Sequence, residues 1–306
     1  MDLIVDDSNP IGSVSEELEE DYDSLITRLP SYDPDPLYRL HPATSSVLGQ
    51  PAISASGWSI YTSKRPIMSA SEIERATSRI EIPMPEMIFG HNYVVVSHDL
   101  SGWSLGFNTV DALDLVTKHG NPQGGLVRVS YSDAWMKDKA KSSDEVHQVV
   151  KPFDWTYTTP YCGTPTLNTT KFTKSTDSLP YDRLRRPDPI LYFDDIVLFE
   201  DELGDNGAAL YSVKIRVMAE RLLLLARFFL RVDDVLFRVR ETRLFVEFAD
   251  NTILREYTIK EGPYSTIKRK VPVTARDHGL YLRDPDWISQ ALPVIDSFTE
   301  RSQISS

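Results

Sequence analysis

Two neighbouring runs of apolar and polar alternation, at 211–218 and 221–232, constrain the fold more than any other part of the chain. In the first run, apolar residues at 211, 213, 215 and 217 alternate with Ser212, Lys214, Arg216 and Met218. In the second, Leu222 to Val232 place their apolar side chains on one strand face and their arginines on the other. Because a helix would scatter these arginines, the period-two pattern predicts two strands, although leucine and alanine intrinsically favour helix.

The turn after Val232 decides which side chains share a face. A two-residue turn at Asp233-Asp234 places Val232 opposite Val235 and makes one face of the hairpin continuously apolar. The same register predicts a second face that carries Arg227, Arg231, Arg238 and Arg240. Two interpretations of this arginine face stay open. The guanidinium groups pair with the chain's own carboxylates, or they form a groove for the carboxylates or phosphates of a partner.

The remaining patterns predict short helices and further strands. Ser69 and Glu72 form a capping box for a helix over 70–80, and Thr109 is expected to cap a second helix. Strands are predicted at 93–97, 103–107, 126–130 and 153–158, short helices at 131–139 and 287–292, and a proline-rich loop at 159–189. The predicted fold class is α+β, a single domain with antiparallel β meanders and a few short flanking helices.

Charge is concentrated at the amino terminus. Residues 1–36 hold eleven acidic side chains and one basic one, which is −10 of the total net charge of −12. This composition, with many prolines, predicts a disordered acidic tail over 1–55. A folded domain is expected over 56–296 and a flexible carboxyl terminus over 297–306.

Composition also limits the cellular setting and the partners. With Cys162 as the only cysteine and no signal peptide, a cytoplasmic protein is expected, with the nucleus as a second location. No apolar run reaches the length of a membrane helix, so no membrane partner is expected. The body of the chain is almost neutral, which argues against nucleic acid as a partner. No sequence motif calls for a cofactor or a metal ion.

Two groups of residues favour an alternative function, that of a hydrolase. Residues 102–106 match the G-x-S-x-G pattern with Ser104 as nucleophile, but alternation favours an ordinary strand there. Asp194 and Asp195 lie in an acidic cluster that can in principle hold a metal ion. A third interpretation is a module whose sheet binds a phosphorylated metabolite.

An aromatic ridge is predicted on the strand at 153–158. Phe153, Trp155 and Tyr157 alternate with polar residues, so their rings share one face. Core packing is favoured over a role as a partner-binding anchor.

Several motifs in order resemble the TIPRL family, the "Tip forty-one"-like regulators. They are the segments 85–90, 107–113, 151–159, 198–203, 212–218, 227–231 and 254–258, with a late match at 288–293. The resemblance implies a non-catalytic regulator in TOR signalling that binds the catalytic subunits of type 2A, 4 and 6 phosphatases and is linked to the Tap-forty-two/alpha-four protein. It also implies a cleft for the acidic tail of the phosphatase.

The expected partner-binding residues combine the resemblance with the predicted faces. They are Phe89, Asp111, Trp155, Tyr157 and the four arginines at 227, 231, 238 and 240. The chain departs from the family pattern at Asp234, where glycine is expected, in its acidic tail, and between Glu261 and Asp284, where it is longer.

Overall fold

A computed structural model describes residues 49–80, 82–116, 156–165 and 171–304, all of which belong to the unit Leu40–Ser306. Most of the predicted acidic tail lies outside the described residues. So do the predicted strand at 126–130, the helix at 131–139, and Phe153 and Trp155. Strand β1 already begins at Ile53, so regular structure starts a few residues before the predicted boundary at 56.

Antiparallel strands dominate the fold. In chain order they are β1 (Ile53–Ala55), β2 (Trp58–Ser63), β3 (Met87–Ile88), β4 (Tyr93–His98), β5 (Ser104–Asn108), β6 (Thr164–Pro165), β7 (Thr173–Ser175), β8 (Tyr192–Asp201), β9 (Gly207–Val217), β10 (Arg221–Val232), β11 (Leu236–Glu247), β12 (Thr252–Pro263) and β13 (Val294–Gln303). They form a five-stranded sheet in the order β1-β2-β4-β5-β6 and an eight-stranded sheet in the order β3-β8-β9-β10-β11-β12-β13-β7.

Short helices flank these sheets. They are α1 (Ala70–Ile80), α2 (Thr109–Asp114), α3 (Tyr181–Leu184), α4 (Tyr264–Lys268), α5 (His278–Arg283) and α6 (Pro285–Ala291). The predicted α+β class, a single domain built on antiparallel strands, is confirmed. None of the described helices is long and apolar enough to cross a membrane.

The large sheet is covered on both faces. Its inner face, which carries Tyr211 and Phe228, packs towards the small sheet through Tyr161, whose ring lies 5.9 Å from those of Tyr211 and Phe107. Its outer face, which carries Phe229 and Val239, packs against α4, α5 and α6. Farther along the outer face, Leu179 and Leu184 cover Phe245 and Leu254. These contacts bury the long strands on both sides.

The two strands predicted from the pattern at 211–232 are confirmed, but the predicted turn after Val232 is wrong. The loop has three residues, and Val232 lies opposite Leu236 rather than Val235. Asp234 has a φ of +59°, the left-handed conformation that glycine adopts most easily. A slip of one residue moves every side chain of a strand to its other face. Arg227 and Arg231 therefore lie on the outer face, whereas Arg238 and Arg240 lie on the inner face, and the single arginine face does not exist.

For the shorter elements, the observed positions agree with those predicted from the sequence to different degrees. Helix α1 has the predicted bounds, and the backbone N–H of Ser69 donates to Glu72 Oε2 at 2.8 Å, as a capping box requires. The N-cap of α2 is Asn108 rather than Thr109. Residues 156–158 are not a strand, and Tyr157 has a φ of +58°. Residues 297–303 of the predicted flexible carboxyl terminus lie in β13, which pairs with β12 as far as Gln303.

Candidate partner-binding site

The residues predicted to bind a partner fall into three separate places. Arg227 and Arg231 project from the outer face of the large sheet, and Arg238 and Arg240 from its inner face. Phe89, Asp111 and Tyr157 lie near the loops between the sheets, and Trp155 lies outside the described residues. The structure therefore does not assemble the groove that the two-residue turn predicted.

On the outer face, Glu241 is the centre of a buried charge cluster. Its side chain is fully buried, and its carboxylate lies 2.8 Å from Arg227 Nε, 2.5 Å from Arg243 Nη2 and 3.3 Å from Lys260 Nζ. Burial raises the pKa of Glu241, but the three cations and the hydroxyl of Ser289 outweigh it and hold the pKa at about 2. The carboxylate is therefore ionised at neutral pH.

The same cluster fastens helix α6 to the sheet. Ser289 Oγ donates to Glu241 Oε1 at 2.7 Å and is 2.8 Å from Lys260 Nζ. Arg227 Nη1 reaches Asp286 at the start of α6, at 2.6 Å. Arg227 is thus bound between two of the chain's own carboxylates and is 7% exposed, so it offers no surface to a partner.

Arg231, also on the outer face, is more accessible than Arg227. Its side chain is 15% exposed, and its Nε lies 2.8 Å from Asp233 Oδ1 in the loop after β10. Asp233 is itself 41% exposed. Only the Asp233 side of this pair is exposed, because Arg231 Nε itself is buried.

On the inner face, Arg238 is enclosed by the protein. It is 1% exposed, and its Nε lies 2.6 Å from Glu261 Oε2, while its Nη1 donates to Thr158 Oγ1 at 2.7 Å. Arg240 is partly exposed and lies beside Tyr257. Burial raises the pKa of the Tyr257 hydroxyl and the nearby Arg240 guanidinium lowers it, with burial the larger effect. The interpretation in which the chain's own carboxylates hold the arginines fits Arg227 and Arg238.

Phe89 and Asp111 are positioned together by helix α2. Thr109 Oγ1 donates to the carbonyl of Phe89 at 2.8 Å and lies 3.1 Å from that of Leu198. Asn108 Oδ1 accepts from the backbone N–H of Asp111 at 2.9 Å, and Asn108 Nδ2 donates to Asp111 Oδ2 at 2.7 Å. The hydroxyl of Thr164 also donates to Asp111 Oδ2. Phe89 and Asp111 are both half-buried, so each keeps a part of its side chain at the surface.

Tyr157 is a core residue. It is 3% exposed, and its hydroxyl donates to the carbonyl of Met84 at 3.3 Å. Burial, and then the neighbouring Asp201 carboxylate, raise the pKa of Tyr157 well above its ordinary value. Asp201 in turn accepts the backbone N–H groups of Glu86 and Leu203. Tyr157 therefore joins the loop at 156–161 to strand β8, and its burial agrees with the core-packing interpretation.

The TIP41-like family model matches residues 87–268. The chain belongs to the TIP41-like family. It is 40% identical to the type 2A phosphatase activator TIP41 of Saccharomyces cerevisiae, over 83% of this chain and 75% of that protein. It is 36% identical to the human TIP41-like protein, over 80% and 86% of the two chains. It is 34% identical to the type 2A phosphatase activator tip41 of Schizosaccharomyces pombe, over 78% and 92%.

In this TIP41-like chain, the residues of the hydrolase alternative are not arranged for catalysis. Ser104 is the first residue of β5, its side chain is buried, and helix α2 starts only at Thr109, so it does not form a strand-to-helix elbow. Asp194 and Asp195 are consecutive strand residues that point to opposite faces and approach Lys64 and Lys214, respectively, at 3.7 Å. No cluster of three metal-ligating side chains occurs within the described part of this TIP41-like chain.

Sequence reasoning missed Glu241, although a signal for it was present. With a three-residue turn, Glu241 falls directly opposite Arg227, and opposite charges at such cross-strand positions attract. The family model covers Glu241 and the four arginines but ends at Lys268, so the segment after α4 lies beyond the matched part of this TIP41-like chain.

Proposed function

We propose that this chain is a non-catalytic regulator that binds the catalytic subunit of type 2A-family protein phosphatases. The observation that carries the proposal is membership of the TIP41-like family, in which the budding and fission yeast relatives are named type 2A phosphatase activators. Similarity extends over most of both chains in each comparison. It is therefore not confined to one motif that different functions can share.

The proposal includes finer assignments that rest on the family resemblance. The partners are the type 2A, type 4 and type 6 catalytic subunits and the Tap-forty-two/alpha-four protein. The setting is TOR signalling in the cytoplasm, with the nucleus as a second location.

The contact surface is placed at helix α2 and the neighbouring Phe89. Asp111 Oδ2 is bound by Asn108 and Thr164, which fixes the carboxylate in one orientation. A half-buried anion held in this way is preorganised for a cationic or hydrogen-bond-donating group on a partner, because little side-chain entropy is lost on binding. Phe89 supplies apolar surface next to it. Of the arginines, Arg231 and Arg240 keep enough exposure to contribute, whereas Arg227 and Arg238 act inside the domain.

The burial of Ser104 and the opposed directions of Asp194 and Asp195 favour a binding protein over a hydrolase. The regulatory effect is then exerted through the bound phosphatase, whose own catalytic groups carry out the reaction.

The test is direct binding of purified type 2A, 4 and 6 catalytic subunits to the immobilised full chain. We expect binding of at least one subunit, and Asp111→Asn should weaken it by roughly tenfold to a hundredfold, since one charge-assisted hydrogen bond is lost at constant side-chain volume. Asp114→Asn, which removes the same charge three residues later in α2, is the matched control and should bind as the wild type does. Absence of binding to all three subunits rejects the function, and equal effects of the two variants reject the surface.

A further inference from the structure

The segment from α4 to the end of α5 carries a concentration of positive charge on a chain that is acidic as a whole. Between residues 264 and 283 there are five basic side chains and one carboxylate, Asp277, so the segment holds a net charge of +4. The basic patch consists of Lys268, Arg269, Lys270, Arg276 and Arg283, all of them exposed. This segment includes the stretch that is longer than the family pattern, and residues 269–283 lie beyond the family match.

The segment has one side in the core and one side in water. Ile267, Val271 and Leu282 are buried against Phe229 and Val239 of the large sheet, so they hold the segment to the outer face. Between these anchors, the basic side chains point away from the core. The fold therefore presents the basic patch as a fixed surface.

Among the residues that the structure describes, no carboxylate neutralises the cations of the basic patch. Within the described ranges, none of the five takes part in an ion pair, whereas Arg227, Arg238 and Lys260 of the sheet all do. Arg269 Nε instead donates to the carbonyl of Ser265 at 3.2 Å, and Lys270 Nζ to that of Ala291 at 2.5 Å. These bonds orient the side chains but leave their full charge available.

Along the chain, exposed apolar side chains alternate with these cations. Val273 is 97% exposed, next to the exposed Pro272, and Leu280 is 67% exposed. Apolar residues that protrude beside unpaired lysines and arginines combine the two properties by which peripheral proteins bind an anionic membrane surface. The cations are attracted by the headgroups, and the apolar tips enter the boundary of the acyl chains.

We infer that this basic patch, with Val273 and Leu280 at its tips, docks the protein on the surface of a membrane that contains anionic lipids. The inference revises the expectation of no membrane partner, which rested on the lack of a membrane-spanning segment, because peripheral binding needs none. A bilayer fits the patch better than an acidic protein surface does, because exposed apolar side chains among cations match the layering of headgroups over hydrocarbon. The inference is independent of the proposed function, since it uses no residue of the α2 surface.

The experiment is co-sedimentation of the full chain with vesicles of phosphatidylcholine alone and of phosphatidylcholine mixed with phosphatidylserine. We expect binding to the mixed vesicles only, and we expect it to weaken as salt rises, because screening shortens the reach of the charges. A triple variant, Lys268→Gln with Arg269→Gln and Arg276→Gln, should lose on the order of a hundredfold in affinity, since each cation near the surface contributes about fivefold. Val273→Asp alone should also weaken binding.

A second triple variant, Arg65→Gln with Arg185→Gln and Arg216→Gln, serves as the charge-matched control, because these arginines are exposed elsewhere and have no ion pair among the described residues. It should bind the mixed vesicles as the wild type does. Equal losses in the two triple variants, or no binding of the wild type to mixed vesicles, overturn the inference. Patch-dependent retention on polyglutamate without vesicle binding overturns it in favour of an acidic polypeptide. Phosphatase binding by the patch variant should be unchanged, which separates this test from that of the proposed function.

Discussion

Arg227 and Glu241 face each other across strands β10 and β11, with Arg227 Nε 2.8 Å from Glu241 Oε1. The pair is buried between the large sheet and helix α6, and Glu241 also neutralises Arg243 and Lys260. Asp286 also pairs with Arg227 and Glu256 with Arg243, but Glu241 is the carboxylate that all three cations share, so its removal leaves buried positive charge without a sufficient counter-ion. Glu241 is therefore the residue on which the attachment of α6 to the sheet depends.

The first prediction is that Glu241→Gln destabilises the fold by about 3–5 kcal/mol, the usual cost of removing one partner from a buried ion pair. Glutamine keeps the side-chain volume and can still accept a hydrogen bond from Ser289. The loss of unfolding free energy therefore measures the contribution of the negative charge. Urea unfolding followed by tryptophan fluorescence measures it. Glu202→Gln, at an exposed position, is the control and should stay within about 0.5 kcal/mol of the wild type. Similar unfolding midpoints for both variants would contradict the prediction.

The second prediction concerns the loss of stability at low pH. The pKa of Glu241 is about 2 in the folded protein and 4.5 in its ordinary state, so the unfolded chain takes up the proton first as pH falls. The stabilisation is complete above pH 4.5 and is lost as the pH falls towards 2. It amounts to about 3 kcal/mol in full, of which about 2 kcal/mol is lost by pH 3. The difference in unfolding free energy between the wild type and Glu241→Gln should shrink by that amount between pH 6 and pH 3. A constant difference would show that the carboxylate has an ordinary pKa.

The strands at 211–232 were predictable because burial of alternate side chains leaves a period-two pattern that outweighs helix propensity. The register of the next strand was not, because it depends on the conformation of Asp234 in the turn. That residue adopts φ +59° in a three-residue loop, which composition alone does not distinguish from a two-residue turn. One residue of slip then assigned Arg238 and Arg240 to the wrong face.

Strand β13 escaped prediction for a different reason. Its inner-face residue Glu300 is 1% exposed and lies 2.5 Å from Arg255 Nη2 of β12. A buried ion pair gives the strand a polar sequence that is typical of a flexible terminus. In the candidate site, likewise, the motifs indicated Phe89 and Asp111, but Thr164, one of the two residues that fix Asp111, comes from a distant segment. Long-range contacts of this kind leave no local pattern.

The third prediction distinguishes buried from exposed arginines. Arg238→Glu should destabilise the fold by at least about 3–5 kcal/mol, since it places a carboxylate beside Glu261 in an environment where Arg238 is 1% exposed. A charge reversal at Arg238 therefore does not leave the fold intact, and a loss of phosphatase binding in that variant does not report on the interface. Arg269→Glu, an equal change of charge on the surface, is the control and should alter stability by less than about 0.5 kcal/mol. Thermal unfolding of the two purified variants provides the comparison.

The last prediction concerns the close approach of β9 to β10. Gly207 begins β9 with a φ of +155°, and a Cβ atom there would lie 1.9 Å from the carbonyl oxygen of Arg231. That oxygen belongs to the backbone of a central strand and cannot move without breaking the ladder between β9 and β10. Gly207→Ala should therefore destabilise the fold by about 3 kcal/mol or more.

Gly204 supplies the matched comparison for this substitution. It has a φ of +60°, but a Cβ atom there meets nothing nearer than Asn206 Nδ2 at 3.9 Å. Gly204→Ala should cost only the roughly 1–2 kcal/mol of a left-handed alanine. Urea unfolding of both variants separates the destabilisation caused by the backbone conformation from that caused by the steric contact. If the two substitutions lower the unfolding free energy equally, the contact with the Arg231 carbonyl does not contribute to the effect of Gly207→Ala. If Gly207→Ala costs more, the packing of β9 on β10, which positions the inner face over Tyr161, depends on the absence of a side chain at that one position.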